Sequence, residues 1–340
     1  FKNGYITSNN LCSPITYAVK HKLDEIRYNS SSGGLFTALS DEILAQGGII
    51  YGVGLDENLR VCHQRATDKS KRDLFRGSKY VQSDMGHILK SLEEDLREGR
   101  NVLFTGTPCQ VAGAKGYLDK KNVITSNLIL CDIICHGTPS PKMFSDYLLF
   151  CEKKEGKKIV NHIFRSKVNG WHNHTELNIF ENGKVDGKSY TSQLFKHMFH
   201  SHMILRPSCH NCIYTNINRP SDITIADFWG IENTHPDFDD NKGISLAMIN
   251  TERGLHVFNA IKDRIIFKEL NISKYMQPNM KKPTEKSAYR ELFWNDYKDK
   301  GFEYVIKKYF NYGLKGDIKR FIANILIKVK LYSYIKKKKG

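Results

Sequence analysis

The chain has 340 residues, enough for one large or two medium domains with a substantial buried core. Hydrophobic residues make up 40% of it, and no apolar run approaches the length that spans a bilayer. The formal charge of +16 is uneven: eleven Lys or Arg against Asp317 alone fall between Val305 and Gly340, yet no nucleic-acid-binding motif accompanies them, which sets nucleic acid aside as a partner.

No basic segment followed by an apolar stretch opens the chain at Phe1, so no signal peptide is read, and residues 1–28 read as a lead-in. Eight cysteines without such a leader point to a reducing, cytoplasmic setting and away from a disulfide framework. From Leu35 the spacing Leu35, Leu39, Ile43, Leu44 predicts a helix that stops at Gly47-Gly48. Ile49 to Val53 reads as a strand with Leu59 to Arg65 as its neighbour, and Met85 to Glu98 as an amphipathic helix. Apolar strands are predicted over 101–104 and 127–134. The first runs into Thr105-Gly106-Thr107-Pro108 and a helix, and the second is followed by a helix over 139–151. This alternation is α/β patterning.

Beyond it the character becomes α+β. Strands are predicted over 159–165, 175–180 and 184–191, with Asn182-Gly183 as a hairpin turn. Strands over 223–227 and 244–250 and a helix over 252–261 follow, and the chain past Pro283 reads as a basic helical tail. The expected organisation is a main domain over 29–283, divisible into 29–155 and 156–283, with a tail over 284–340.

Four cysteines sit in loop-forming sequence: Cys109 in Thr-Pro-Cys-Gln, Cys135 before His136-Gly137, and Cys209 with Cys212 in Pro-Ser-Cys-His-Asn-Cys. Cys109 follows a strand and starts a helix, where backbone N–H groups favour a thiolate. Ligands of parallel sheets gather at the carboxyl ends of strands, where Cys109 and Cys135 would meet. A lone Cys-x-x-Cys leaves zinc, an iron–sulfur cluster and a redox disulfide open. Cys131, inside an apolar strand, reads as core with a ligand role as its alternative. Ser30-Ser31-Ser32-Gly33-Gly34 suits either a phosphate group or a plain helix cap. The run Arg76 to Ser83 carries a cation, an aromatic and hydroxyl or amide donors. Asp227 ends a strand beside Phe228-Trp229, and His172, His174, His197, His200 and His202 show no clean ligand spacing with carboxylates.

Together these strings resemble the coenzyme F420 hydrogenase/dehydrogenase beta-subunit family over about residues 15 to 270, with His235-Pro236 and Asn241 to Ser245 continuing the likeness. The resemblance implies a mixed-sheet flavoprotein core with a cysteine-ligated cluster loop. It implies FAD lined by Ser31, Ser32, Gly33, Gly34, Lys79, Tyr80, Gln82 and Ser83, with Thr105 and Thr107 nearby. It also implies a [4Fe–4S] cluster on Cys109, Cys135, Cys209 and Cys212. His136 or Asp227 would relay a proton. Electrons would pass between a small-molecule hydride donor or acceptor, such as coenzyme F420, and a one-electron carrier. Similar bacterial sequences are associated with surface-polysaccharide biosynthesis. The ferredoxin-like Cys-x-x-Cys-x-x-Cys module of many relatives is not among these 340 residues, being either lost or placed ahead of Phe1, and a separate ferredoxin or another carrier is the implied partner. Two rival readings remain: a zinc-stapled binding protein without redox activity, and a peripheral membrane component of a glycan assembly system. The latter would dock Phe321, Ile322, Ile325, Leu326, Val329 and Tyr332 on anionic lipid at the inner face of the membrane.

Overall fold

The computed structural model describes residues 10–314, 316–318 and 322. Eleven strands appear among them: β1 Asn10–His21, β2 Ile49–Leu55, β3 Val61–Ala66, β4 Val102–Gly106, β5 Leu128–Ile133, β6 Ile159–Ser166, β7 Thr175–Phe180, β8 Val185–Asp186, β9 Ile223–Asp227, β10 Ser245–Thr251 and β11 Ile265–Leu270. Eight of them form one mixed sheet in the order β11-β1-β10-β9-β5-β4-β2-β3, and β6, β7 and β8 form a second, antiparallel one. Strands β2, β4, β5 and β9 run parallel at the centre. The α/β reading is therefore met, with antiparallel strands on both flanks.

The parallel strands are apolar on both faces because helices cover both. Successive residues point to opposite sides of a strand. Ile50, Leu103 and Ile129 accordingly pack with Leu35, Leu39 and Ile43 of the helix Leu35–Ala45, and with Val257 and Phe258 of the helix Glu252–Ala260. Their sequence neighbours Ile49, Val102 and Leu128 join Leu92 and Leu96 of the helix Ile88–Arg97 and Val111 and Leu118 of the helix Pro108–Lys120. Cys131 sits in the first of these cores and is 1% exposed, so it is a core residue. The small sheet has its own core with the helices Pro141–Glu155, Leu194–His200, Arg290–Lys300 and Phe302–Tyr309.

Two expectations are corrected. Within the segment expected as a lead-in, residues 10–28 are structured: β1 lies between β10 and β11, and a short helix, Asp24–Tyr28, follows it. The strand expected over 184–191 shrinks to β8. There the Asp186 carboxylate accepts the N–H groups of Lys188 and Ser189 at 3.1 and 3.0 Å, which turns the chain out of the ladder. In the Ser30–Gly34 run the cap residue is Gly34 at φ +87°, and no side chain caps the helix. The hairpin turn at Gly183 is present, with φ +82°. The lipid-docking run from Phe321 to Tyr332 lies, Ile322 apart, outside the described residues, and no described helix is long and apolar enough to cross a membrane.

One buried ion pair ties the loop after Cys212 to the end of β5. Arg219 donates to Asp132 Oδ2 at 2.8 Å, to the Ile133 carbonyl at 2.8 Å and to the Tyr214 carbonyl at 2.6 Å, and the pair is 1% and 0% exposed. Arg219→Met leaves the Asp132 carboxylate buried and unpaired, and is expected to cost about 3–5 kcal/mol of stability. Arg219→Met with Asp132→Leu should recover most of that loss. Urea unfolding of both variants checks this, and a single variant within 1 kcal/mol of the parent, on the order of an ordinary surface change, contradicts it.

Candidate functional site

The four parallel strands deliver their carboxyl ends to one edge of the sheet, the place where open α/β sheets bind ligands. A cavity of about 630 Å³ lies there. That size is ordinary for a small-molecule or cofactor site. Its wall is built from Ser31, Ser32 and Gly34, the segment from Arg76 to Val81, the ends of β4 and β5 with Cys135 and His136, and Asp227 and Trp229 after β9. The small sheet and its helix add Arg165, His174, Phe199 and His200.

Beside the cavity the thiols come together from three loops. Cys109 is exposed at the start of its helix, where Thr107 and Gln110 form a reciprocal capping box and the Thr107 hydroxyl lies 3.2 Å from Cys109 Sγ. Cys135 follows β5, and Cys209 rides on the tight turn Pro207–Asn211, pinned by Arg206 N–H to the Thr138 carbonyl at 3.0 Å. A side chain at Gly137, which has φ +135°, would meet Leu205 at 2.9 Å and the Cβ of Cys209 at 3.4 Å, so glycine lets these two loops close. Burial pushes the Cys135 thiol up to about 12, and Cys209, Cys109 and Cys212 push it the same way, which places all four within electrostatic reach.

No three of the four sulfurs lie within 4.8 Å of one another. A tetrahedral zinc, with Zn–S of about 2.3 Å, would draw four sulfurs to about 3.8 Å apart.

At the other end of the cavity the loop Ser30–Gly34 is held by its own side chains. Ser31 Oγ accepts the Ser78 N–H at 2.7 Å, Ser32 Oγ donates to the Ile244 carbonyl at 2.7 Å, and Ser245 Oγ takes the Gly33 N–H at 2.9 Å. A Cβ on Gly33 would stand 2.2 Å from the Val19 carbonyl, so only glycine permits this approach. Among the described residues no protein acceptor takes the N–H groups of Leu35 and Phe36, and both residues line the cavity. With Arg76, which also pairs with Asp73 at 2.8 Å and donates to Thr37 Oγ1 at 3.1 Å, they offer an anion two donors, a partly committed cation and the positive end of a helix.

Eight of the ten residues expected to line a flavin face this cavity. Ser31, Ser32, Gly34, Lys79, Tyr80, Ser83, Thr105 and Thr107 line the cavity, whereas Gly33 and Gln82 do not. Gly33 serves the close backbone approach, and the Gln82 N–H is bound to the Pro139 carbonyl at 3.1 Å. The Lys79 ammonium is occupied by the carbonyls of Leu74 and Arg76 at 3.0 and 2.8 Å, so it shapes its loop. Tyr80 stacks on Phe199 at 4.8 Å.

Asp227 is also committed. It accepts from Arg165 at 2.9 Å and from the Trp171 indole at 3.0 Å, and so positions Arg165, whose guanidinium lies 4.3 Å above Trp229. His136 lines the cavity with a buried Nε2 that has no partner, and burial holds its pKa down to about 4.

The sequence reading missed Arg165, Trp229, Phe199, Gln110 and His63. His63 is buried on β3 with its pKa held down to about 4 by desolvation, so the ring is neutral. Its Nε2–H donates to the Thr105 carbonyl at 3.1 Å, and Nδ1 accepts from Ser83 at 2.9 Å. Ser83 Oγ accepts from Gln110 Nε2 at 2.8 Å, and Gln110 Oε1 accepts the Thr107 N–H at 3.1 Å. A chain of hydrogen bonds thus runs beneath the cavity from β3 to the loop before Cys109. The available signal was His63 at an inward position of an alternating strand, flanked at i−2 by buried Val61.

The family described as the C terminus of the coenzyme F420 hydrogenase/dehydrogenase beta subunit matches residues 99–274, more than half of the chain. Among solved structures, the chain is similar to one from the F420-reducing [NiFe] hydrogenase complex of Methanosarcina barkeri, determined as a xenon derivative. The identity is 18% and the TM-score 0.53, over 92% of this chain and 96% of that one. At that identity the likeness concerns the fold. No curated protein matches the chain in sequence.

The His63 ring gives this region a pH dependence. Its folded pKa is below the unfolded value of 6.5, so its contribution is complete above pH 6.5 and is lost as pH falls toward 4. His63→Gln should make the acid loss of stability smaller by about 3 kcal/mol at pH 4. Urea unfolding of parent and variant at pH 7 and pH 4 measures it, and parallel losses in the two proteins count against a neutral buried ring.

Proposed function

The chain belongs to the coenzyme F420 hydrogenase/dehydrogenase beta-subunit family, and from that we propose a flavin- and iron–sulfur-dependent oxidoreductase. The observation that carries the reading is the pairing of four thiols from three loops with a cavity whose far end is an open helix N-terminus. A thiolate quartet needs no cavity to act as a staple. A cavity ending in unpartnered N–H groups and sharing Cys135 with the quartet suits a redox cofactor placed beside a cluster.

In this reading Cys109, Cys135, Cys209 and Cys212 hold a [4Fe–4S] cluster. The N–H groups of Leu35 and Phe36, with Arg76, receive the pyrophosphate of FAD. Bound there, the flavin supplies two-electron hydride exchange and the cluster one-electron exchange. The protein's own part is binding and exclusion of water. Tyr80 and Phe199 give the cavity an apolar wall, Thr107 sets the approach to Cys109, and His136 Nε2 offers a neutral hydrogen-bonding group to a ring bound nearby. Asp227 acts through Arg165, so its role is positioning, and the proton-relay role falls to His136 alone.

The second substrate is a small hydride donor or acceptor, for which a deazaflavin such as coenzyme F420 is the family precedent, and polysaccharide biosynthesis is a second setting. A ferredoxin or another carrier would exchange electrons at the exposed Cys109 edge in the cytoplasm.

Anaerobic reconstitution with iron, sulfide and FAD, followed by metal and flavin analysis, tests the reading. About four iron atoms and one flavin per chain are expected. Cys209→Ser should lose most of the iron. Phe36→Pro, which removes one N–H at a position where helices tolerate proline, should weaken FAD binding at least tenfold while keeping the iron. One equivalent of zinc with neither iron nor flavin after reconstitution would establish the zinc-stapled alternative instead.

A further inference from the structure

A second ligand set lies outside the cysteine loops, on three segments distant in sequence. His172 is in the loop between β6 and β7, Glu232 in the short helix Ile231–Thr234, and Asp239 in the loop before β10. One ligating atom from each lies within 4.8 Å of the other two. His172 Nε2 is 2.6 Å from Asp239 Oδ2, and the Asp239 side chain is only 11% exposed. The histidine spacing looked uninformative because both carboxylates are about sixty or more positions away.

Two observations make this more than a surface ion pair. Glu232 Oε2 is fully buried and has no hydrogen-bond donor. A carboxylate oxygen withdrawn from water without a partner is costly. Among the described residues, moreover, no Lys or Arg pairs with Glu232 or Asp239, although the chain carries 52 such residues and the adjacent Asp240 is paired with both Arg27 and Lys20. A divalent cation would give the unpartnered Glu232 oxygen a ligand and neutralise the charge of the two neighbouring carboxylates together.

Asn241 holds His172 and Asp239 in place without help from a metal. Asn241 accepts the Trp171 N–H on its carbonyl at 2.9 Å and the His172 N–H on its side chain at 3.0 Å, while its own N–H bonds Asp239 Oδ1 at 2.9 Å. A Cβ on Gly170, at φ +85°, would stand 2.3 Å from the Asn241 side chain, so the two loops interlock. The donor chemistry is one imidazole and two carboxylates with no thiolate. That set suits Mn²⁺, Fe²⁺ or Zn²⁺ with water completing the shell. We propose that His172, Glu232 and Asp239 form a cysteine-free site for one divalent first-row cation. The cation would clip the loop around Trp171 to the helix that follows Trp229. Those two indoles stack at 4.9 Å and 4°, and Trp229 lines the cavity, so occupancy steadies one wall of the cavity from outside it.

The experiment is a Mn²⁺ titration of the full chain followed by electron paramagnetic resonance, with Mn²⁺ chosen because thiolates hold it poorly. One bound Mn²⁺ per chain is expected. Glu232→Gln and Asp239→Asn, both isosteric, should each weaken binding at least tenfold, and Cys209→Ser should leave it unchanged. Mn²⁺ should also raise the melting temperature of the parent and leave that of Asp239→Asn unmoved. His172→Lys, which supplies a fixed positive charge, should abolish binding while keeping the fold. No saturable Mn²⁺ binding, or binding indifferent to Glu232→Gln and Asp239→Asn, overturns the proposal. Loss of binding in Cys209→Ser does so too, by moving the ion to the thiols. The site stands or falls independently of the flavin and cluster reading.

Discussion

The cavity and the thiol loops beside it depend on one geometric constraint: β2, β4, β5 and β9 run parallel, so their carboxyl ends share an edge. A parallel strand cannot be reached by a tight turn, and each return crosses a face of the sheet as a longer connection. Those connections deposit their loops at the two edges alternately. The Thr107–Cys109 corner and the Cys135–Gly137 loop consequently land next to each other although neither was brought there by a contact of its own. The Arg219 guanidinium then draws the Cys212 loop onto the same edge through Asp132 and two carbonyls. Cavity and thiols are neighbours because they are consequences of the same strand direction.

Legibility in the sequence followed the range of the forces involved. β4 and β5 were readable because apolar runs with both faces covered need no distant information. The four cysteines stood out because Pro, Gly and His beside them broke the surrounding pattern, and Cys131 was separated from them by its apolar neighbours. β1 was invisible for the opposite reason. Its residues Asn10 to Pro14 look like loop, and the strand is stabilised by pairing with segments more than two hundred residues later. β8 was overextended since a side-chain carboxylate, Asp186, competes successfully for the N–H groups the ladder would have used.

The polar part of the candidate site was the least readable. Arg165 and Trp229 look like unremarkable strand and loop residues until Asp227 aligns one over the other. His63 signals itself only as a polar residue on the inward face of an alternating strand. Desolvation keeps His63, His136, His162 and His174 neutral. At neutral pH they therefore act as hydrogen-bonding groups, which is a different resource from the positive charge that the composition advertises.

The position of β1 also has a consequence for the order in which the molecule can form. It precedes the other described strands in the chain, yet both its partners, β10 and β11, come from residues 245–270. All four loop cysteines, from Cys109 to Cys212, emerge between these events. The parallel centre of the sheet and its thiol loops can therefore assemble while one flank still lacks β10, and the early strand waits for late partners across a large sequence separation. Such non-local closure is slow and leaves a hydrophobic strand unpaired in the meantime. The nascent chain is thus open on the β9 side for the whole interval in which its thiol loops first meet.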